Sequence, residues 1–107
     1  MPPPNRVPAP EWRFLTSHAR ALVQIAQDPT LRLRDLAQHL DITERSAFKI
    51  VNDLEKAGYL EKKRSGRRNS YEIRTDLPLM DTVPQQPSIG DVLALLVPVE
   101  HLNSAQI

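Results

Sequence analysis

The segment Asp35-Leu-Ala-Gln-His-Leu-Asp-Ile-Thr-Glu-Arg-Ser-Ala-Phe-Lys-Ile-Val-Asn-Asp-Leu-Glu-Lys-Ala-Gly58 carries two helical periodicities separated by a short break. Leu33, just before it, falls with Leu36, Ala37 and Leu40 at i, i+3, i+4 and i+7, which places all four on one helical face. Ala47, Ile50, Val51 and Leu54 repeat that spacing, and Gly58 stands where a helix C-cap is expected. Between them Asp41-Ile42-Thr43 must turn the chain, and Thr43 is a good N-cap for the second helix. Two short helices joined by a three-residue turn form a helix-turn-helix unit.

Upstream, residues 1–10 hold five prolines and little to bury, so residues 1–11 are expected to be a disordered or extended arm. Trp12 and Phe14 are expected to begin the packed domain as aromatics sealing one end of the core. Thr16 or Ser17 can cap a first helix whose apolar set includes Ala19, Leu22, Val23 and Ala26, and Asp28-Pro29-Thr30 ends it. Leu31-Arg32-Leu33 alternates apolar and polar, enough for a very short strand.

Downstream of Gly58 the pattern becomes extended. Leu60–Arg64 and Asn69–Arg74 flank Ser65-Gly66-Arg67-Arg68, which predicts a β-hairpin with Tyr71 and Ile73 on the face that covers the helices. Residues 78–88 are rich in Pro, Gln and Thr and are expected to be a linker. Ser88 with Asp91 three positions on approaches a capping box. Ile89, Val92, Leu93 and Leu96 then form an apolar stripe over 89–97 that Pro98 stops. That helix is expected either to pair with a second copy, making a homodimer, or to fold back onto the first helix.

The order helix, short strand, helix, helix, hairpin is that of a winged helix-turn-helix domain. The expected fold class is therefore α+β, mainly α: a three-helix core with a hairpin wing over 12–77, plus a short C-terminal helix. The stretches Leu33-Arg-Asp-Leu-Ala, Ile42-Thr-Glu-Arg-Ser-Ala, Ile50-Val-Asn-Asp-Leu-Glu-Lys-Ala-Gly-Tyr-Leu and Gly66-Arg-Arg-Asn-Ser-Tyr resemble the DNA-binding domain of bacterial winged-helix transcriptional regulators of the MarR/ArsR type. The resemblance implies sequence-specific duplex binding in the cytoplasm, with Ser46, Phe48 and Lys49 where such regulators meet the major groove. One departure is Asp41, where that family usually has glycine. The position calls for positive φ, which Asp tolerates better than most residues but less easily than Gly.

Charge placement points the same way. The net charge is +1, but residues 44–74 hold nine Lys/Arg against five acids while residues 75–107 hold four acids and no Lys or Arg. At about 100° per residue, Arg45, Lys49, Asn52 and Lys56 lie opposite the apolar face of the second helix of the unit, with Phe48 beside them. Arg can fork onto guanine, Asn onto adenine, and Lys can reach phosphate. Phe48 can contact a thymine methyl or pack against the wing. Lys62, Lys63, Arg64, Arg67 and Arg68 put five cations in seven residues around the hairpin turn, with Asn69 next to them, suited to phosphate or a narrow minor groove.

The alternative is a winged-helix module for protein–protein interaction, its basic wing meeting an acidic partner. An enzyme is not expected. There is no Cys, no HExxH and no glycine-rich phosphate loop, and His18, His39 and His101 are isolated, so no cofactor, metal or small-molecule effector site can be read. The longest apolar run, Val92 to Val99, is broken by Pro98 and far too short to span a bilayer.

Overall fold

The computed structural model describes residues 12–80 and 84–97. The arm expected over 1–11, the helix stop at Pro98, and His101 lie outside the described residues. The elements are α1 (Ser17–Gln27), α2 (Leu33–Leu40), α3 (Glu44–Lys56), β1 (Leu60–Ser65), β2 (Arg68–Ile73) and α4 (Ile89–Leu96). This is the expected mainly helical winged helix-turn-helix fold without the short strand expected before α2; α2 and α3 are the helix pair and β1–β2 the wing.

Local chemistry sets each boundary. Thr16 opens α1, its hydroxyl oxygen accepting from the Ala19 N–H at 3.2 Å. Past its end, the Asp28 carboxylate accepts from both the N–H and the hydroxyl of Thr30, at 3.1 and 2.9 Å. Thr43 opens α3, accepting from the Ser46 N–H at 3.0 Å. Between α2 and α3, Asp41 does adopt the left-handed conformation, φ 57° and ψ 50°. That twist lets the Ile42 N–H reach back to the Ala37 carbonyl at 2.9 Å, satisfying an end-of-helix acceptor. Gly58, φ 89°, does the same for α3, where the Tyr59 N–H reaches the Leu54 carbonyl at 3.0 Å.

The core gathers Leu36, Ala37 and Leu40 of α2 with Ala47, Ile50, Val51 and Leu54 of α3, all buried as their spacing predicts. On α1 the buried face is Ala21, Leu22 and Ile25 instead of the set centred on Ala19, Leu22, Val23 and Ala26. Val23 and Ala26 only flank it, because α1 packs on α2, α3, β2 and α4 at once and its apolar arc is broad. Trp12 and Phe14 do not seal the core: they are 66% and 89% exposed. α4 packs on α1 and supplies Ile89 and Leu93 to the buried cluster, which Val97 joins just beyond it.

The strand expected at Leu31–Leu33 does not form; among the described residues the sheet has two strands. Leu33 already starts α2, which leaves too few residues for a ladder. One hydrogen bond, from the Tyr71 N–H to the Pro29 carbonyl at 2.9 Å, ties this segment to the hairpin. The strands pair antiparallel with Leu60 opposite Ile73, Lys62 opposite Tyr71 and Ser65 opposite Arg68. The turn is thus Gly66-Arg67, with positive φ at Gly66 (63°) and not at Arg67, the pattern of a type II′ hairpin.

The stretch expected as a linker is pinned at both ends. Pro78 bridges Ser88, the Leu79 N–H donates to the Pro87 carbonyl at 2.9 Å, and the Tyr59 hydroxyl donates to the Leu79 carbonyl at 2.7 Å. It delivers α4 back to the core, where Ser88 and Asp91 close a reciprocal capping box. Gly90 permits the close approach: a Cβ there would lie 3.1 Å from the Thr75 Cβ and 3.2 Å from its carbonyl oxygen. Burying Ile89, Leu93 and Val97 contributes about 1.5–3 kcal/mol each, against a typical net domain stability of about 5–15 kcal/mol. α4 is therefore part of the folded unit.

Candidate nucleic-acid interface

With Ala47, Ile50, Val51 and Leu54 turned inward, α3 presents Arg45, Ser46, Phe48 and Lys49 to solvent, and Asn52 half-exposed at their edge. The Ser46 hydroxyl also accepts from the Thr43 hydroxyl at 3.0 Å, which ties it to the start of the helix. Phe48 is 57% exposed and is not a core residue. It lines an open cleft of about 340 Å³ between α3 and the hairpin, together with Val51 and Glu55 of the same helix.

The hairpin closes the cleft from the other side through Lys62, Arg67, Asn69 and Tyr71. Strand alternation explains this choice. Leu60, Lys62 and Arg64 share one face of β1, and their partners Ile73, Tyr71 and Asn69 share the matching face of β2. Lys63 falls on the opposite face, where its ammonium lies 2.9 Å from Glu61. Arg64 points its Nε at the Gly66 carbonyl, 3.2 Å away, and Arg68 begins β2 opposite Ser65. The structure thus brings Phe48, Lys62, Arg67 and Asn69 to one cleft and leaves Lys63 tied elsewhere.

The sequence did not foretell what shares this surface. Asp53, on α3, has its Oδ2 2.9 Å from His18 Nε2 of α1 and 3.7 Å from the Lys49 ammonium. The hydrogen bond with His18 holds the Asp53 carboxyl below its ordinary range, against an opposing effect of burial and with help from the Lys49 charge. The Lys49–Asp53 spacing of i, i+4 was visible in the chain, but the approach of His18 was not. Hydrogen bonding to Lys63 likewise lowers the Glu61 carboxyl, and the Lys63 ammonium is raised in return. Burial, and then the charge of Glu55, push the Tyr71 phenol up.

His39 lies 2.9 Å from Gln24 Oε1, on the α1 side of α2. Among the described residues no group of three or more His, Asp or Glu side chains is placed to hold a metal ion, and no helix is long and apolar enough to cross a membrane.

No curated protein sequence matches the chain at a significant level. Among solved structures it is similar to MepR, a transcription regulator of the Staphylococcus aureus multidrug efflux pump MepA, with 15% identity and a TM-score of 0.50 over 85% of this chain and 64% of that one. It is also similar to the zinc-dependent MarR family transcriptional regulator AdcR in its Zn(II)-bound state, with 22% identity and a TM-score of 0.45 over 61% of this chain and 46% of that one. The chain therefore spans less than two thirds of either protein's length. The family model described as MarR family matches residues 14–68, just over half of the chain, from the lead-in to α1 through the start of β2. On that match, over the same residues that form the helix pair and the first strand of the wing, the chain belongs to the MarR family.

Proposed function

We propose that this chain is a bacterial transcriptional regulator that binds duplex DNA in the cytoplasm, with α3 in the major groove and the hairpin on phosphate or minor groove. The observation that carries this reading is the convergence on one surface of the outward face of α3 and the cations of the wing. Arg45, Lys49 and Asn52 have the donor geometry for base edges and phosphates. Phe48 at the cleft rim offers an apolar contact to a thymine methyl. Lys62 and Arg67 supply positive charge that displaces counterions from the DNA backbone.

A second copy of the chain is the proposed protein partner, since paired half-sites suit a two-fold symmetric regulator. Ile89 and Leu93 are occupied within the chain's own core, so pairing through α4 falls to Leu95 and Leu96, which are exposed.

Selection of bound duplexes from a random pool tests the main reading, followed by titration of the recovered motif against salt. Binding should weaken steeply with salt, and the combined Lys62→Ala, Arg67→Ala variant should reduce the slope by about one for each phosphate that is no longer neutralised. Phe48→Ala should relax base preference with little effect on folding, because the side chain is already more than half exposed. Failure to recover a motif, together with a flat salt dependence, refutes the proposal.

A further inference from the structure

One wall of the α3–hairpin cleft comes from neither of those elements. The segment Thr30-Leu31-Arg32 forms it. This segment is placed by the Asp28 carboxylate holding Thr30, by the Leu31 N–H donating to the Asp28 carbonyl at 3.1 Å, and by the Tyr71 N–H donating to the Pro29 carbonyl at 2.9 Å. Arg32, distant in sequence from the wing, consequently lines the same cleft as Lys62 and Arg67.

The charges around this cleft differ from three cations elsewhere on the surface. Lys49, Lys63 and Arg74 each lie within 4.0 Å of a carboxylate, those of Asp53, Glu61 and Asp76. Among the described residues Arg32, Lys62 and Arg67 have no such carboxylate. Three cations with no such carboxylate, one from the segment before α2 and two from the hairpin, therefore line one concavity. Among the described residues Glu55 is the one acid lining the cleft against these three cations, so they keep a net mutual repulsion that an anion between them relieves.

We infer that Arg32, Lys62 and Arg67 together seat a phosphate of the DNA backbone in this cleft, which makes Arg32 a third contact element beside α3 and the wing. This rests on the duplex-binding reading. A strand running from a groove occupied by α3 towards the hairpin must cross the space between them, and the cleft is that space. Phe48 bounds it on the groove side. Glu55 lines the same cleft as Tyr71, whose phenol is pushed up by burial first and by the Glu55 charge second. Its negative charge keeps the phosphate towards the rim where the three cations stand. A planar guanidinium at position 32 suits this task, since it donates in a fork to two phosphate oxygens.

The test titrates wild type, Arg32→Gln, Arg32→Lys and Arg34→Gln with one mixed-sequence duplex between about 50 and 200 mM salt. Circular dichroism and thermal midpoints establish that each variant is folded. Arg32→Gln is expected to weaken binding about two- to fivefold at the lowest salt, and to reduce the slope of log affinity against log salt by about 0.9. Arg32→Lys should restore the slope, because it keeps the charge. Arg34→Gln removes the same charge from an exposed position outside the cleft and should leave the slope near that of wild type. An unchanged slope in Arg32→Gln, or an equal reduction in Arg34→Gln, with wild type still salt-sensitive, overturns the role of Arg32 and leaves the DNA reading standing. A wild-type slope of zero overturns both.

Discussion

Asp41 is the residue at which this chain departs from the glycine usual in its family, and the consequence can be worked out. Its φ of 57° and ψ of 50° lie in the left-handed region, and its side chain is exposed, so replacing it removes no packing. An ordinary L-residue in that region costs about 1–2 kcal/mol; Asp bears less, because its short polar side chain tolerates the conformation. The carboxylate also sits at the negative end of the α2 dipole, an unfavourable placement of about 0.3–1 kcal/mol. Glycine removes both penalties but adds freedom to the unfolded chain, a cost of about 0.5–1 kcal/mol. Asp41→Gly should then be about 0.5–1 kcal/mol more stable than wild type. Asp41→Asn should fall between, since it removes the charge alone. Asp41→Ala loses the charge too but carries the full left-handed cost, so the two nearly cancel and it should lie within about 0.5 kcal/mol of wild type. The spread between Gly and Ala, the left-handed cost less the freedom glycine adds to the unfolded chain, is about 0.5–1 kcal/mol and should appear as a difference of at least about 2 °C in thermal midpoint. Urea unfolding with unchanged m-values checks that the native state alone is affected. If Asp41→Ala equals or exceeds Asp41→Gly in stability, backbone strain at the turn is not what distinguishes this position.

Thr43→Ala removes the cap of α3 and should lower stability by about 1 kcal/mol in urea denaturation, whereas Thr43→Ser should retain most of it; equal destabilisation would show the hydroxyl is not acting as a cap. For Asp53, the folded-state carboxyl titrates below its ordinary value of 3.8. The stabilisation is therefore present above that value and is lost as pH falls through the folded-state value. The acid limb of thermal stability should accordingly be shallower in Asp53→Asn, and superimposable limbs would refute the contribution. Leu95 is 87% exposed, so Leu95→Glu should leave the unfolding midpoint unchanged while abolishing any dimer held by α4. Sedimentation that shows an intact dimer in this variant would place the interface elsewhere. Truncation before α4 is the poorer test, because it also removes Ile89, Leu93 and Val97 from the core.

Much of the fold was legible because its signals are local. Residues three and four apart on a helix lie on one face whatever surrounds them, and the inward side of α3 matched its periodicity residue for residue. Caps at Thr16, Thr43 and Ser88 depend on groups at most three positions away. The positive φ at Asp41 was what the family resemblance implied, since glycine usually stands at that position. The candidate site was less legible. The cluster of wing cations was visible, but not its division, because moving the turn by one residue would exchange the faces of Lys62 and Lys63. Exposure of Trp12 and Phe14 ran against their hydrophobicity, and burial of Ala21 in place of Ala19 turned on how many elements surround α1.

By itself, then, the sequence determined the helix pair, its turn, the hairpin and the basic surface of α3 and the wing, all of them consequences of chemistry within a few residues. Tertiary structure alone decided that α4 folds back onto α1, that His18 meets Asp53 beside Lys49, and that Arg32 stands across a cleft from Lys62 and Arg67. The reason is physical: periodicity states that a face is apolar or charged, while the identity of what it meets depends on packing between segments far apart in the chain.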